Sequence, residues 1–154
     1  MRNPTHSPTP QAGTATVGFS QSDIAGRYAF RFSGFTMRNN ILYHLSGVGT
    51  LELDARGKLT KGQQRSSITP LQGQAAGLVA ATFELSGTIT LKPDGTGDAH
   101  IKFVETTSTT QLDGHFYLLV AGSPDRLWLV SSGATVPPGT PVDELMSGEA
   151  IRMP

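Results

Sequence analysis

Apolar and polar residues alternate along most of the chain after residue 25. The clearest segment is 81–92, where large apolar side chains occupy odd positions, and threonine, glutamate, serine and lysine occupy even ones. A period of two residues is typical of a β-strand with one buried face. The alternation and its breaks predict about eight strands: one from Gly26, then 41–53, 58–69, 81–92, 98–106, 112–120, 126–132 and 144–153.

Short turns join most of these segments. Asp54 and Gly57, like Asp94 and Gly95, are residue types that tight turns favour. The linkers leave no room for the helices of βαβ units, and an open sheet of eight strands would have two exposed edges. We therefore predict an all-β fold, an antiparallel meander closed into a β-barrel of about eight strands. Longer connections are predicted at 34–40, 70–80 and 133–141.

Length and composition fit one such domain. The 154 residues include 18 glycines and 10 prolines and are only 16% charged, which favours strands and turns over a helical bundle. Residues 1–18 predict a disordered leader, and residues 19–154 a single barrel domain. The leader has no apolar stretch of signal-peptide length, and the chain has no run of 18 apolar residues. We expect no membrane span and take the cytoplasm as the default location, with secretion left open.

Charge and cysteine content restrict the partners. Twelve basic residues balance twelve acidic ones, so no net field attracts the chain to phosphate backbones, and nucleic acid is not expected as a partner. The lack of cysteine excludes disulfides, thiolate metal ligands and a cysteine nucleophile. The motifs of nucleotide-binding loops, serine hydrolases and zinc proteases are missing as well. The sequence therefore predicts neither a cofactor nor a metal.

The apolar positions of the strands predict the barrel interior and a candidate ligand-binding set. Gly49, Gly87 and Gly114 share the parity of these positions; they either leave room for a ligand or bend a filled wall. If the apolar face instead turns outward, it would form an oligomer interface. Segment 126–132 is apolar on both faces, so we expect it to be covered on both sides. The candidate ligand-binding residues are Phe30, Phe32, Leu51, Phe83, Leu85, Phe103, Phe116 and Leu118.

Candidate chemistry is sparse. His44, His100 and His115 have the parity of the polar positions, so we expect them on the outer surface rather than in a metal site. Of the strand carboxylates Glu84, Glu105 and Asp113, only Glu105 shares parity with apolar neighbours. In an apolar cavity its pKa would rise, and it would act as an acid or base beside Tyr28 or Tyr43; a strand end in water is the alternative.

The segment 19–30, FSQSDIAGRYAF, resembles the opening of lipocalin and wider calycin barrels, where a turn of helix leads into a first strand marked G-x-W. Tyr28 stands at the aromatic position. The resemblance implies a ligand cavity inside the barrel, and it implies that a basic residue of the last strand, here Arg152, packs across Tyr28. The strand pattern also resembles allene oxide cyclase-like barrels, some of which catalyse cofactor-independent cyclisations.

Three functions follow as alternatives. The first is binding of a small, largely apolar molecule inside the barrel. The second is a cofactor-independent cyclase or isomerase that uses the same cavity, with Glu105, Tyr28 and Tyr43 as catalytic residues. The third is a structural or assembly module, for which a homo-oligomer is expected. The sequence does not decide whether the protein is an enzyme.

Overall fold

A computed structural model describes residues 18–38, 41–71, 79–136 and 140–154 of the chain. Within these residues, eight antiparallel strands form a closed barrel in chain order, β1-β2-β3-β4-β5-β6-β7-β8. The prediction of an all-β meander barrel is confirmed. A short 3₁₀-helix, Gln21–Ile24, precedes the strands β1 (Gly26–Arg38), β2 (Ile41–Leu53), β3 (Lys58–Pro70), β4 (Val79–Leu91), β5 (Thr96–Glu105), β6 (Gln111–Val120), β7 (Arg126–Val136) and β8 (Thr140–Arg152).

Each strand pairs with its neighbours in the sequence, and β1 pairs with β8 to close the barrel. Tyr28, for example, lies between Leu51 of β2 and Arg152 of β8. The apolar positions face inward: Leu85, Phe103 and others are nine-tenths or more buried. The alternative in which the apolar face turned outward and polar residues lined the barrel is therefore wrong.

Two of the predicted loops are strand in the structure. β1 continues to Arg38 instead of ending before Gly34. The predicted loop 133–141 lies mostly within β7 and β8, because a register shift between Val130 and Ala134 lets the ladder resume beyond it. Pro141 is tolerated there because the β1–β8 pairing already ends at Asp143, so no hydrogen bond is required from Pro141 on that side. The third loop, 70–80, falls partly outside the described residues, as does the predicted leader apart from Gly18.

The two ends of the barrel differ. At the end that we call the closed end, the 3₁₀-helix lies over the barrel, with Ile24 fully buried. The side-chain amide of Gln21 donates to the carbonyl of Ile89 (2.9 Å) and accepts from the amide of Leu91 (2.8 Å). The predicted helical turn before β1 is thus confirmed, and it seals one mouth. The opposite end, where β5 ends and β6 and β8 begin, is called the open end.

The glycines on the inner wall do not leave empty space. A Cβ atom on Gly49 would lie 2.5 Å from Cζ of Phe30, and one on Gly114 would lie 2.8 Å from the ring of Phe116. Carbon atoms normally approach to about 3.5–4.0 Å. Each of these two glycines therefore provides room for a phenylalanine ring, a known way of filling a curved sheet. Gly49 and Gly114 thus lie beneath rings, although Gly114 also lines the cavity described below.

The outer face of β7 is not covered in the described chain. Trp128 is 49% exposed and Val130 46% exposed, while Leu127 of the same strand is fully buried. Within a single described chain, this strand is therefore covered on its inner side alone, and the expected cover of the outer side stays a prediction. Its inner face packs in the barrel core and its outer face meets solvent.

Candidate functional site

The barrel interior contains a cavity of about 200 Å³ in its open half. Its walls are largely apolar and come from β2, β3, β4, β5, β6 and β8, with Ile68, Phe83 and Leu112 among them. The interior of an eight-stranded barrel is just wide enough for side chains to fill it or for one small ligand to fit. The described lining residues are Leu45, Ser66, Ser67, Ile68, Ala81, Phe83, Phe103, Glu105, Thr110, Leu112, Gly114, Phe116, Glu144 and Met146.

The predicted ligand-binding residues divide between two spaces. Phe83, Phe103 and Phe116 line the larger cavity. A second space of about 50 Å³ adjoins it towards the closed end, lined in part by Phe30, Phe32, Leu51 and Leu85. Leu118 lines neither cavity and is buried in the hydrophobic core.

The floor of the larger cavity is an aromatic cluster. The rings of Phe83 and Phe103 meet edge to face with centroids 6.5 Å apart, and those of Phe103 and Phe116 are 6.3 Å apart at 61°. Edge-to-face pairs of this geometry are attractive beyond the area that they bury. The cluster separates the cavity from the packed half of the barrel.

Two polar residues that the sequence argument missed face the interior near the open end. Glu144 lines the cavity, and its Oε2 atom is buried. Thr36 is its cross-strand partner on β1; it is 2% exposed, and its Oγ1 has no hydrogen-bond partner within the described residues. Glu144 has the same parity as Met146 and Ala150, so the alternation that identified the core strands would also have identified this carboxylate.

A second polar pair lies on β3. Gln64 and Ser66 are buried, and the Gln64 amide donates to the Ser66 hydroxyl over 3.0 Å. Both face inward because irregular pairing near Leu59 changes the register of β3. The weak alternation of 58–69 reflects this shift together with its inward polar residues. Ser66 lines the larger cavity.

Glu105 lies at the mouth of the cavity, at the end of β5. Its carboxylate accepts hydrogen bonds from the hydroxyls of Ser108 and Thr107. The bond from Ser108 is the main cause that lowers the pKa of Glu105 below its ordinary value. The pKa thus moves in the direction opposite to the rise expected for an acid or base in an apolar cavity, so Glu105 is ionised at neutral pH.

Tyr28 lies at the closed end. It is fully buried, and its hydroxyl donates towards the carbonyls of Ile24 (3.1 Å) and Pro124 (2.9 Å). Burial is the main cause that raises its pKa. The guanidinium of Arg152 lies 5.5 Å from the ring centroid and donates to the hydroxyl over 3.0 Å. The contact between Tyr28 and Arg152 is thus present as expected, and it fastens β8 to β1.

The three residues of the cyclase alternative are not brought together. Tyr28 belongs to the closed end, whereas Glu105 is at the cavity mouth. Tyr43 is half-buried near the start of β2, opposite Thr36 and Pro70. Their catalytic roles stay predictions, and the structure gives them no common site.

The histidines lie on the outer face. The rings of His100 and His115 stack with centroids 4.4 Å apart, and both residues are exposed. His44 contacts Phe35 instead, with ring centroids 5.7 Å apart. Among the described residues, no three His, Cys, Asp or Glu side chains are arranged to hold a metal ion.

The outer surface has a larger depression of about 710 Å³, lined by charged side chains that include Arg27, Glu52, Lys61 and Glu84. Such a surface binds water and ions without excluding solvent. The interior cavity is the better candidate because its walls are mostly apolar, which is typical of small-molecule sites.

Comparisons with known proteins give one weak likeness in structure and none in sequence. No family model matches the chain, and no curated protein matches it. Among solved structures, the chain is similar to the S-type phycobiliprotein lyase CPES from Guillardia theta, at a TM-score of 0.44 and 11% identity, over 94% of this chain and 99% of that one. A likeness at this level carries no argument about the fold or the function of this chain. Within the described residues, no helix has the length and apolar character needed to cross a membrane.

Proposed function

We propose that this protein binds a small, largely apolar molecule in the open half of its barrel. The observation that carries the proposal is the cavity of about 200 Å³ behind the open end, with Phe83, Phe103 and Phe116 on its floor. Apolar area removed from water contributes about 25 cal/mol per Å², so a ligand gains affinity from these walls without any specific polar contact.

Cavity volume limits the size of the ligand. A cavity of about 150 Å³ lined by apolar side chains binds benzene, whereas sites for drug-sized ligands begin at about 300 Å³. The volume here, about 200 Å³, lies between the two. It accommodates one substituted ring or a short branched chain, and a longer ligand would extend through the mouth past Glu105.

The test is a titration with toluene followed by NMR of protein labelled at isoleucine, leucine and methionine methyl groups. Methyl resonances of Ile68, Leu112 and Met146 should shift, because these side chains line the cavity. Those of Ile24 and Leu127 should not shift, since both are fully buried in the packed core. Shifts spread evenly over the core, or no saturable shifts at all, would contradict the proposal.

A matched pair of variants tests the location. Ala81 lines the cavity, and Ala80 precedes it on the opposite, exposed face of β4. Ala81→Phe places a ring in the cavity and should abolish toluene binding, whereas Ala80→Phe should leave binding unchanged. Native mass spectrometry of freshly purified protein would report any ligand that it retains.

A separate observation on the outer face of the barrel supports a second function, self-assembly. Tyr117, Leu119, Trp128 and Val130 are 63%, 52%, 49% and 46% exposed, and they form the cross-strand pairs Tyr117–Val130 and Leu119–Trp128. Contiguous exposed apolar surface of this kind is typical of interaction sites. The occupant that we propose is a second copy of the chain, because a formal net charge of zero gives two copies no long-range repulsion.

Trp128 is the only tryptophan, so its fluorescence reports directly on this outer patch. A dimer should give a blue-shifted emission at high protein concentration and a matching rise in sedimentation coefficient. Leu119→Lys should abolish both, whereas Val48→Lys, at another exposed apolar position, should change neither. A sedimentation coefficient equal to that of the monomer at every concentration would exclude assembly and leave ligand binding untouched.

A further inference from the structure

The wall of the larger cavity contains a buried serine on β3. Ser66 lines the cavity and is more than nine-tenths buried. Its cross-strand partners are Gly47 on β2 and Ala81 on β4, and neither carries a side chain larger than a methyl group. Ala81 lines the cavity beside it. The Ser66 side chain is therefore a polar point in a largely apolar wall.

The hydroxyl of Ser66 keeps a proton to donate. Its oxygen accepts the side-chain amide of Gln64 over 3.0 Å, and within the described residues no group accepts a hydrogen bond from it. A hydroxyl has one donor as well as its acceptor lone pairs, so the bond from Gln64 leaves the O–H unused. That bond also polarises the hydroxyl and strengthens it as a donor. A buried donor without an acceptor costs free energy, which an acceptor on a ligand recovers.

The other hydroxyls of the described lining have less to gain from a ligand. Ser67 has the outward parity of β3, and its hydroxyl shares a hydrogen bond of 3.1 Å with that of Ser46. Thr110 is exposed at the mouth, and its hydroxyl accepts from Ser108 over 2.9 Å. Water satisfies an exposed hydroxyl nearly as well as a ligand does. Ser66 is therefore the hydroxyl at which a ligand acceptor contributes most.

The charges of the lining disfavour an anionic acceptor. The described residues that line the cavity include the carboxylates Glu105 and Glu144, and no lysine, arginine or histidine. Both carboxylates already have interactions of their own, so we assign neither to the ligand. An anion that enters past the ionised Glu105 meets a like charge and no cation to offset it. A carbonyl oxygen is a neutral acceptor and brings no proton that would need a second partner.

We infer that the ligand of this cavity is a neutral apolar carbonyl compound, such as an aryl ketone, whose oxygen accepts a hydrogen bond from Ser66. The inference rests on the proposed binding function and adds the chemical class of the ligand. Phe83 is the next inward residue after Ala81 on β4, so it lies diagonally across from Ser66 at a spacing of about 7–8 Å. An aryl ketone spans this spacing, with its oxygen on Ser66 and its ring on Phe83 and the rest of the aromatic floor.

The test titrates three probes at pH 7 and follows binding by NMR: acetophenone, α-methylstyrene, which has the same shape with a CH₂ group in place of the carbonyl oxygen, and benzoate. Ser66→Ala should weaken the binding of acetophenone about three- to tenfold, the effect of one neutral hydrogen bond, and should not weaken that of α-methylstyrene. The matched control Ser67→Ala removes the neighbouring hydroxyl, which bonds to Ser46, and should change neither affinity. Benzoate should bind more weakly than acetophenone.

The outcomes separate this inference from the function beneath it. If Ser66→Ala weakens acetophenone and α-methylstyrene equally, or weakens neither, the cavity binds apolar molecules without this hydrogen bond and the inference fails. It fails too if benzoate binds as tightly as acetophenone. If neither α-methylstyrene nor toluene binds, the proposed function itself fails.

Infrared spectroscopy gives a second reading that needs no variant. A hydrogen bond lowers the stretching frequency of a carbonyl group, so acetophenone bound to the unmodified protein should absorb at a lower frequency than acetophenone in hexane. Bound to Ser66→Ala, it should absorb close to the hexane value. A bound frequency equal to that in hexane would contradict the hydrogen bond from Ser66.

Discussion

The closed end of the barrel is fastened by side chains, whereas the open end keeps a cavity between them. At the closed end Ile24 is fully buried beneath the 3₁₀-helix, and Arg152 bonds to Tyr28 and pairs with Asp125 at 3.1 Å. At the open end Glu144 and Leu112 line a space of about 200 Å³. Packed side chains thus fill one end of the interior while a cavity remains at the other, so substitutions at the two ends should have different effects on stability.

The largest expected effect is at the closed end. Ile24→Ala removes a fully buried side chain and should lower the free energy of unfolding by about 2–5 kcal/mol, because the helix that seals the barrel loses its anchor. Leu112→Ala, in the cavity wall, should cost about 1–2 kcal/mol, since Leu112 is only half-buried. Urea unfolding measures both. Equal losses would show that the two ends are packed alike.

Substitutions that enlarge a side chain test the same difference in packing between the two ends. Gly49→Ala places a methyl group against the backbone oxygen of Gln63 and 2.5 Å from the Phe30 ring, and it should cost about 1–3 kcal/mol. Ala81→Val adds two methyl groups towards the cavity and should be neutral or stabilising. Combining Gly49→Ala with Phe30→Leu should recover part of the loss if the ring is its cause. A neutral Gly49→Ala would contradict the filled wall.

The sequence predicts the packed half well and the cavity poorly, for a physical reason. Strand positions follow from alternation because core residues such as Leu85 and Ile89 must all be apolar. Whether the glycines leave space depends on the direction of neighbouring rings, such as Phe30 over Gly49, and residue parity carries no such information. Parity alone predicts that Glu144 faces inward. The inward positions of Gln64 and Ser66 are not predictable in this way, because they depend on the irregular register of β3.

The ends of the strands show the same limit of prediction from the sequence. Proline and glycine in 133–141 predicted a loop, yet β7 and β8 continue through most of it. Pairing across the register shift between Val130 and Ala134 overrides the local preference of these residues. Such pairing is set by the closed barrel as a whole. Local sequence therefore locates the strands but not their ends.

Ionisation of Tyr28 makes the stability of the closed end dependent on pH. Tyr28→Phe removes the hydroxyl between two carbonyls and Arg152 and should cost about 1–3 kcal/mol at pH 7. Burial raises the pKa of Tyr28 above its ordinary value of 10.0, so its contribution is present in full below pH 10 and is lost as the pH rises through the folded pKa. Thermal unfolding between pH 8 and pH 11.5 should therefore show an alkaline loss that Tyr28→Phe diminishes. Tyr43→Phe, near the open end, is the control and should leave the alkaline loss in place.

The smallest effects concern the acidic residues of the two ends. Hydrogen bonds from Ser20 lower the pKa of Asp23 below its ordinary value of 3.8, and those from Ser108 and Thr107 lower the pKa of Glu105 below 4.5. Each carboxylate therefore stabilises the fold above its ordinary pKa, and the contribution is lost as the pH falls through the folded value.

The consequences should nevertheless differ, because Asp23 holds the 3₁₀-helix through the amide of Ser20 (2.7 Å), whereas Glu105 bonds to the loop that follows it. We expect Asp23→Asn to lower Tm at pH 7 and to weaken its acid dependence between pH 5 and pH 2.5. Glu105→Gln should also lower Tm at pH 7 and weaken the acid dependence, but by less than Asp23→Asn does. A larger fall in Tm for Glu105→Gln would mean that the open end, and not the helix-sealed end, limits the stability of the barrel.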